Sequence, residues 1–149
     1  MIPTIVDDIN ECLMRPQIES SDGVSLSFDL WMSRGHEDVL DIFAHFIDDG
    51  FVPQHVHVAM LRCGNSDGVS LAQKLHGVID KFGLYEKVIA CVSDGGRNMK
   101  TCMRVLKESI PCNSLTEKLP FKGACLAHKL SLIFKHVFSA TLSDGLQHI

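Results

Sequence analysis

The chain has 149 residues, 46% hydrophobic and 21% charged, a composition that fits one globular domain and excludes a disordered or collagen-like chain. Its 14 lysines and arginines against 18 aspartates and glutamates leave a formal charge of −4, which argues against a surface that grips nucleic acid by charge alone. No apolar run approaches the roughly 18 residues that span a bilayer. The acid pair Asp7-Asp8 falls where a signal peptide has its apolar centre. Cys12, Cys63, Cys91, Cys102, Cys112 and Cys125 stand singly with no CxxC pair, a pattern of reduced thiols more than of a disulfide framework.

In chain order, residues 4–14 read as a short helix, with Thr4 as N-cap and Ile5, Ile9 and Leu13 at helical spacing. Pro16 and the polar run 19–23 are expected to break it. Over residues 24–32, Val24, Leu26, Phe28, Leu30 and Met32 alternate with Ser25, Ser27, Asp29 and Trp31, the period of a strand with one apolar face. After the turn SRGHE, residues 38–48 form a second strand with Leu40, Ile42, Ala44 and Phe46 on one side. Asp49-Gly50 is a hairpin signal, since this pair accepts positive φ cheaply. Residues 51–61 give a third strand, expected to carry Val52, Val56, Val58 and Met60 on one side. Pro53, which cannot donate to a ladder, places it at a sheet edge.

The period then changes. Leu71, Leu75, Val78 and Phe82 mark a helix over 69–82, ended by Gly83. Residues 87–93, apolar on both faces, read as a central strand. Gly95-Gly96 turns the chain into a helix over 98–108 with Met99, Cys102, Met103 and Leu106 inward. Residues 119–122 suggest a short fifth strand. A last helix is expected over 124–138, with Ala127, Leu130, Phe134 and Val137 on one stripe. The order β-β-β-α-β-α-(β)-α describes an α/β mixed sheet with strand order 3-2-1-4, the short fifth strand beside the fourth. The RNase H-like fold has this order, its first strand beside and parallel to its fourth. The expected division is an N-terminal helix and linker over 1–23, an incomplete RNase H-like domain over 24–140, and a tail over 141–149.

In that fold Asp29 lies mid-strand on the polar face, and Asp94 lies at the C-terminal end of the fourth strand, where ligands gather in open α/β sheets. Neighbouring strands would bring the two carboxylates close enough to share a divalent ion. Hard oxygen ligands favour Mg²⁺ or Mn²⁺. The plainer alternative makes Asp29 a solvent-side strand residue and Asp94 a helix N-cap. Arg97, Lys100, Arg104 and Lys107 form one basic stripe, either a contact for a DNA backbone or an ordinary solvated helix face. Cys125 and His128 share a helix face at i and i+3, but a structural zinc needs four ligands and none is expected here. His36, His45, His55, His57, His76 and His148 show no ligand spacing, and His55 and His57 fall on one face of the edge strand.

The segments SLSFDLWMS, DIFAHFID, VIACVSDGGRNM and CLAHKLSL, in that order over residues 24–132, resemble the RNase H-like core of hAT (hobo/Activator-type) transposases. The resemblance implies that Asp29 and Asp94 are the first and second catalytic acids, with Trp31 beside the first. It implies that Cys125 and His128 are the family's Cys-x-x-His pair near the active site. The family turn after the second acid is commonly Asp-Asn-Ala, where this chain has Asp94-Gly95-Gly96. The family's third acid, a Glu, lies well downstream, and no residue here is assigned that role. The implied function is metal-dependent DNA strand cleavage and transfer at transposon ends, in the nucleus, with no membrane partner. DNA binding and self-association are expected of the full-length protein. The expected chain is a fragment inactive alone, with weak Mg²⁺ or Mn²⁺ binding. The alternative is a domesticated, non-catalytic DNA- or protein-binding module. A free-standing RNase H-like nuclease would need a further acid, such as Asp41 or Asp48.

Overall fold

The computed structural model describes residues 15–32, 37–110, 122–127 and 129–135. Its elements are α1 (Arg15–Ser20), β1 (Val24–Met32), β2 (Asp38–Ile47), β3 (Pro53–Cys63), α2 (Gly68–Lys81), β4 (Val88–Ser93), α3 (Arg97–Ser109) and β5 (Lys122–Ala124). Residues 126–127 and 129–135 are also helical. The expected helix over 4–14 lies outside the described residues. Pro16, expected as a breaker, sits instead in the first turn of α1, where its missing N–H costs no hydrogen bond. Ile18 of α1 is fully buried in the core.

The five strands form one sheet in the order β3-β2-β1-β4-β5. β1, β2 and β3 pair antiparallel, whereas β4 runs parallel to both β1 and β5. This is the expected RNase H-like sheet, with β3 at the edge where Pro53 predicted it. The fifth strand begins at Lys122, the last residue of the expected 119–122 segment.

One face of the sheet carries the core. Val24, Leu26 and Phe28 of β1 join Leu40, Ile42, Ala44 and Phe46 of β2, as their period-two spacing requires. α2 contributes Leu71, Leu75, Val78 and Ile79, and α3 contributes Met99, Cys102, Met103 and Leu106. Each fully buried large aliphatic residue contributes about 1.5–3 kcal/mol. β3 departs from simple alternation. Ile42 pairs with Ala59 and Phe43 with His57, so Val58 is an extra residue, a bulge in the edge strand. The bulge reverses the parity of the rest of the strand: Ala59, Leu61 and Cys63 turn toward the core, and Met60 is 58% exposed. The expectation that Val58 and Met60 share the apolar side is therefore corrected.

The β2–β3 turn also differs from its sequence signal. Among the described residues the only non-glycine with positive φ is Phe51 (φ 59), and Gly50 does not take that conformation. Asp48 explains the turn, because its Oδ1 accepts the N–H groups of Gly50 and Val52 and its Oδ2 accepts from Gln54 Nε2. Asp48 is thus committed to the turn rather than to a nuclease centre.

Side chains finish the helix ends. Asp67 caps α2 by accepting from the N–H groups of Val69 and Ser70, and Gly83 (φ 62) takes the left-handed position past its C-terminus. Lys87 Nζ donates to the carbonyls of Ile18, Glu19 and Ser21, tying α1 to the start of β4. His76 bridges Tyr85 Oη and Ser109 Oγ, joining α2 to the end of α3. Of the stripe expected on the last helix, Ala127, Leu130 and Phe134 are exposed, and Val137 lies outside the described residues. A 3.6-residue period identifies an apolar face but not what covers it. No helix among the described residues is long and apolar enough to cross a membrane.

Candidate functional site at the ends of the central strands

β1 and β4 are the central parallel pair, and their register decides where the acids stand. Ser27 pairs with Val92 and Phe28 with Ser93. Asp29 and Asp94 are the next residues on the two chains, one position past the last pair. Neighbouring strands run about 4.8 Å apart, and residues two apart along a strand share a face. Asp29 therefore follows Ser27 and Asp94 follows Val92 onto the face opposite the core. Both acids line one cavity of about 440 Å³, together with Ser27, Ser93, Asp41 and Cys125.

The turn after β4 fixes Asp94. Its Oδ1 accepts the N–H of Gly96 at 3.1 Å, and α3 begins at the next residue. A Cβ on Gly96 would come within 2.9 Å of Asn98 Oδ1 and 3.2 Å of Asp94 Oδ1. Glycine here lets the backbone approach the carboxylate closely. Cys125 is brought in by β5, its N–H donating to the Ser93 carbonyl at 3.2 Å. Its thiol is half-buried beside the two acids.

Asp41 is the cavity residue that sequence reasoning weighed only for the nuclease alternative. It is the direct cross-strand partner of Asp29 on β2. His57 Nε2 contacts Asp41 Oδ1 at 2.5 Å, and the His57 ring packs against Phe43 with centroids 5.0 Å apart. The imidazole thus partners one of two like charges set directly opposite each other. The period-two pattern put Asp41 on the polar face, but only the β1–β2 register puts it against Asp29.

The other candidates are dispersed. Trp31 is on the face of Asp29, two residues on and 43% exposed. Arg97 is exposed at the first position of α3, and Lys100, Arg104 and Lys107 are exposed along the same helix. Arg104 lies 4.0 Å from Glu108. His128 lies outside the described residues. Among the described residues no three His, Cys, Asp or Glu side chains gather closely enough to cage an ion. Asp29 and Asp94 line the cavity together.

No curated protein and no solved structure matches the chain. Residues 27–123 match the family model described as the ZBED1 RNase-like domain. That span covers well over half of the 149 residues and runs from β1 into β5, including Asp29, Asp41 and Asp94. With the 3-2-1-4 order of its sheet, the chain belongs to the ZBED1 RNase-like domain family, an RNase H-like domain of hAT-related descent.

Proposed function

We propose that this chain is part of the strand-cleavage core of a hAT-type DNA transposase, with Asp29 and Asp94 as the acids that hold Mg²⁺ or Mn²⁺. The observation that carries this reading is that Asp29 on β1 and Asp94, just past the end of the neighbouring strand β4, line a single cavity in a chain of this family. The donor chemistry fits, since carboxylate oxygens are the ligands such hard cations prefer. Like charges on neighbouring strands repel each other, and a bound cation relieves that repulsion. When bound, such an ion supplies Lewis-acid polarisation of a phosphoryl oxygen and a more acidic water. The chain's own part is to orient and bind. The Gly96 N–H fixes the direction of the Asp94 carboxylate. Asp29 is open to an incoming phosphodiester. Trp31 flanks the substrate on the same face, Arg97 meets a backbone phosphate at the start of α3, and Cys125 supports the site wall. DNA ends are the partner, and the nucleus is the compartment.

Two carboxylates hold a divalent ion weakly, at a dissociation constant on the order of millimolar. The net charge of −4 also opposes DNA capture. The chain alone therefore binds Mn²⁺ weakly and does not cleave. The test is Mn²⁺ titration of the full chain followed by water-proton relaxation, alongside nicking of a labelled duplex, for the wild type, Asp29→Asn and Asp94→Asn. Weak Mn²⁺ binding lost in both variants is the expected result. Binding that survives both substitutions overturns the assignment of the acids. Robust cleavage lost in both shows instead that the site is complete in this chain. The acidic charge favours a second reading, a domesticated non-catalytic module, for which the Asp variants would leave partner binding unchanged.

A further inference from the structure

At the other end of the same open face lies a cavity of about 810 Å³, bordered by the start of β1, the end of β2 and the start of β3. His45 and His55 both line it. They are direct register partners on the antiparallel strands β2 and β3, a placement that brings Cβ atoms to about 4.5–5.5 Å. Their imidazoles lie nearly parallel, at 27°, with centroids 6.4 Å apart. Ser27 Oγ on β1 lies 2.7 Å from His45 Nε2. With the proton on Nε2, His45 donates to Ser27 and keeps the lone pair on Nδ1. Metal-binding histidines are commonly oriented this way, by a hydrogen bond on the far nitrogen. Burial lowers the His45 pKa, the neighbouring His55 lowers it further, and the neutral ring is the form that ligates.

We propose that His45 and His55 form a two-histidine site for a borderline transition-metal ion, Zn²⁺ or Cu²⁺, bridging the edge strand β3 to β2. Asp22 and Asp49 border the same cavity and supply negative charge around the ion. Asp48, though it also borders the cavity, is occupied by the turn. The two imidazoles are the protein's ligands, and the remaining positions go to water or to a donor from a partner. Imidazole nitrogen selects Cu²⁺, Zn²⁺ and Ni²⁺, whereas Mg²⁺ takes oxygen. The site is therefore chemically distinct from the acidic cavity and independent of any transposase reading.

The experiment uses the full chain with the metal ion alone. Substoichiometric Cu²⁺ is added to ¹⁵N-labelled protein, and Zn²⁺ affinity is measured by calorimetry. Amide broadening centred on residues 43–47 and 54–57 is expected. His45→Ala and His55→Ala should each weaken Zn²⁺ binding at least tenfold. Ser27→Ala, which leaves both ligands in place, should weaken it about tenfold. His57→Ala, whose imidazole is engaged with Asp41, should change it less than twofold. Amide spectra of the metal-free variants confirm that each is folded. Broadening centred on the cysteines or on other histidines, or affinity kept within twofold in His45→Ala or His55→Ala, overturns the proposal.

Discussion

Two glycines in helix α2 should respond to the same substitution with opposite signs. Gly68 is buried at the first position of the helix, where α2 meets α3. A Cβ there would lie 2.5 Å from the Asn98 carbonyl oxygen, 2.5 Å from Thr101 Cβ and 2.8 Å from the Cys102 amide nitrogen. Two of those atoms belong to the α3 backbone, so no rotamer change relieves the contact and the helix itself must move. Overpacking of this kind costs about 1–3 kcal/mol, and a backbone clash belongs at the upper end. Gly77 is exposed in the same helix, and a Cβ there meets nothing within 4 Å. Gly77→Ala removes only unfolded-chain freedom and should stabilise by about 0.5–1 kcal/mol. At roughly 2–4 °C per kcal/mol for a domain of this size, Gly68→Ala should lower Tm by about 5–10 °C. Gly77→Ala should raise it by about 1–4 °C by the same conversion. Urea unfolding followed by circular dichroism reads both. A Gly68→Ala variant within 0.5 kcal/mol of wild type, on the order of a neutral surface change, would show that α3 is not held against this glycine. A destabilised Gly77→Ala would break the argument from the other side. Because α3 starts directly after the Asp94 turn, Gly68→Ala should also weaken Mn²⁺ binding, which Gly77→Ala should leave unchanged.

Three further outcomes are expected. Asp29 opposes Asp41 directly across β1 and β2, so Asp29→Asn should stabilise the fold by about 0.2–1 kcal/mol at low ionic strength. The urea midpoint should show that gain shrinking in 1 M salt, a concentration at which screening acts over about 3 Å. Phe51 holds a left-handed backbone while 89% exposed, so Phe51→Gly relieves steric cost without losing core area. It should add about 1 kcal/mol, read from the same urea transition. Burial raises the Cys102 thiol pKa to about 12 from its ordinary value of 9.0. Below pH 9 the thiol is protonated in both states and contributes no pH dependence. Between pH 9 and 12 the unfolded state releases its proton first, so wild-type stability should fall with rising pH relative to Cys102→Ala, with a limiting slope near ~1.4 kcal/mol per pH unit.

Much of the fold was legible because its signals are local. The alternation in VSLSFDLWM and DVLDIFAHFI fixes which side chains of β1 and β2 reach the core, and Gly83 and Pro53 mark a helix end and an edge strand by their own backbone constraints. The change from a period of two to one of 3.6 after β3 separates the meander from the helical half. The features that escaped the sequence depend on pairing. The extra residue at Val58 leaves no mark in hydropathy, since a valine suits either side of a strand, yet it decides where Met60 points. Asp41 facing Asp29, and His45 beside His55, are facts of register between segments many residues apart. The apolar stripe at Leu130 and Phe134 was visible, but its exposure depends on what packs there. Asp29 and Asp94 can be singled out in the sequence because each stands out within its own strand or turn, whereas Asp41 acquires its meaning only from its neighbour.

The parallel pairing of β1 with β4 has a consequence for how the cavity comes into being. Phe28 and Ser93 are neighbours in the sheet but 93 − 28 = 65 positions apart in the chain. The strands of the β1–β2–β3 meander are close in sequence and can pair on local contacts. The β1–β4 seam needs the whole crossover through α2 to be in place first, and contacts this remote pay their loop-closure entropy before they gain any stabilisation. The acidic cavity should therefore be among the last features to assemble. A nascent chain released before residue 88 would carry the meander with the inner edge of β1 bare, an open ladder of N–H and C=O groups that invites pairing with other chains. Assembly of the cavity and protection of that edge are one event in this topology.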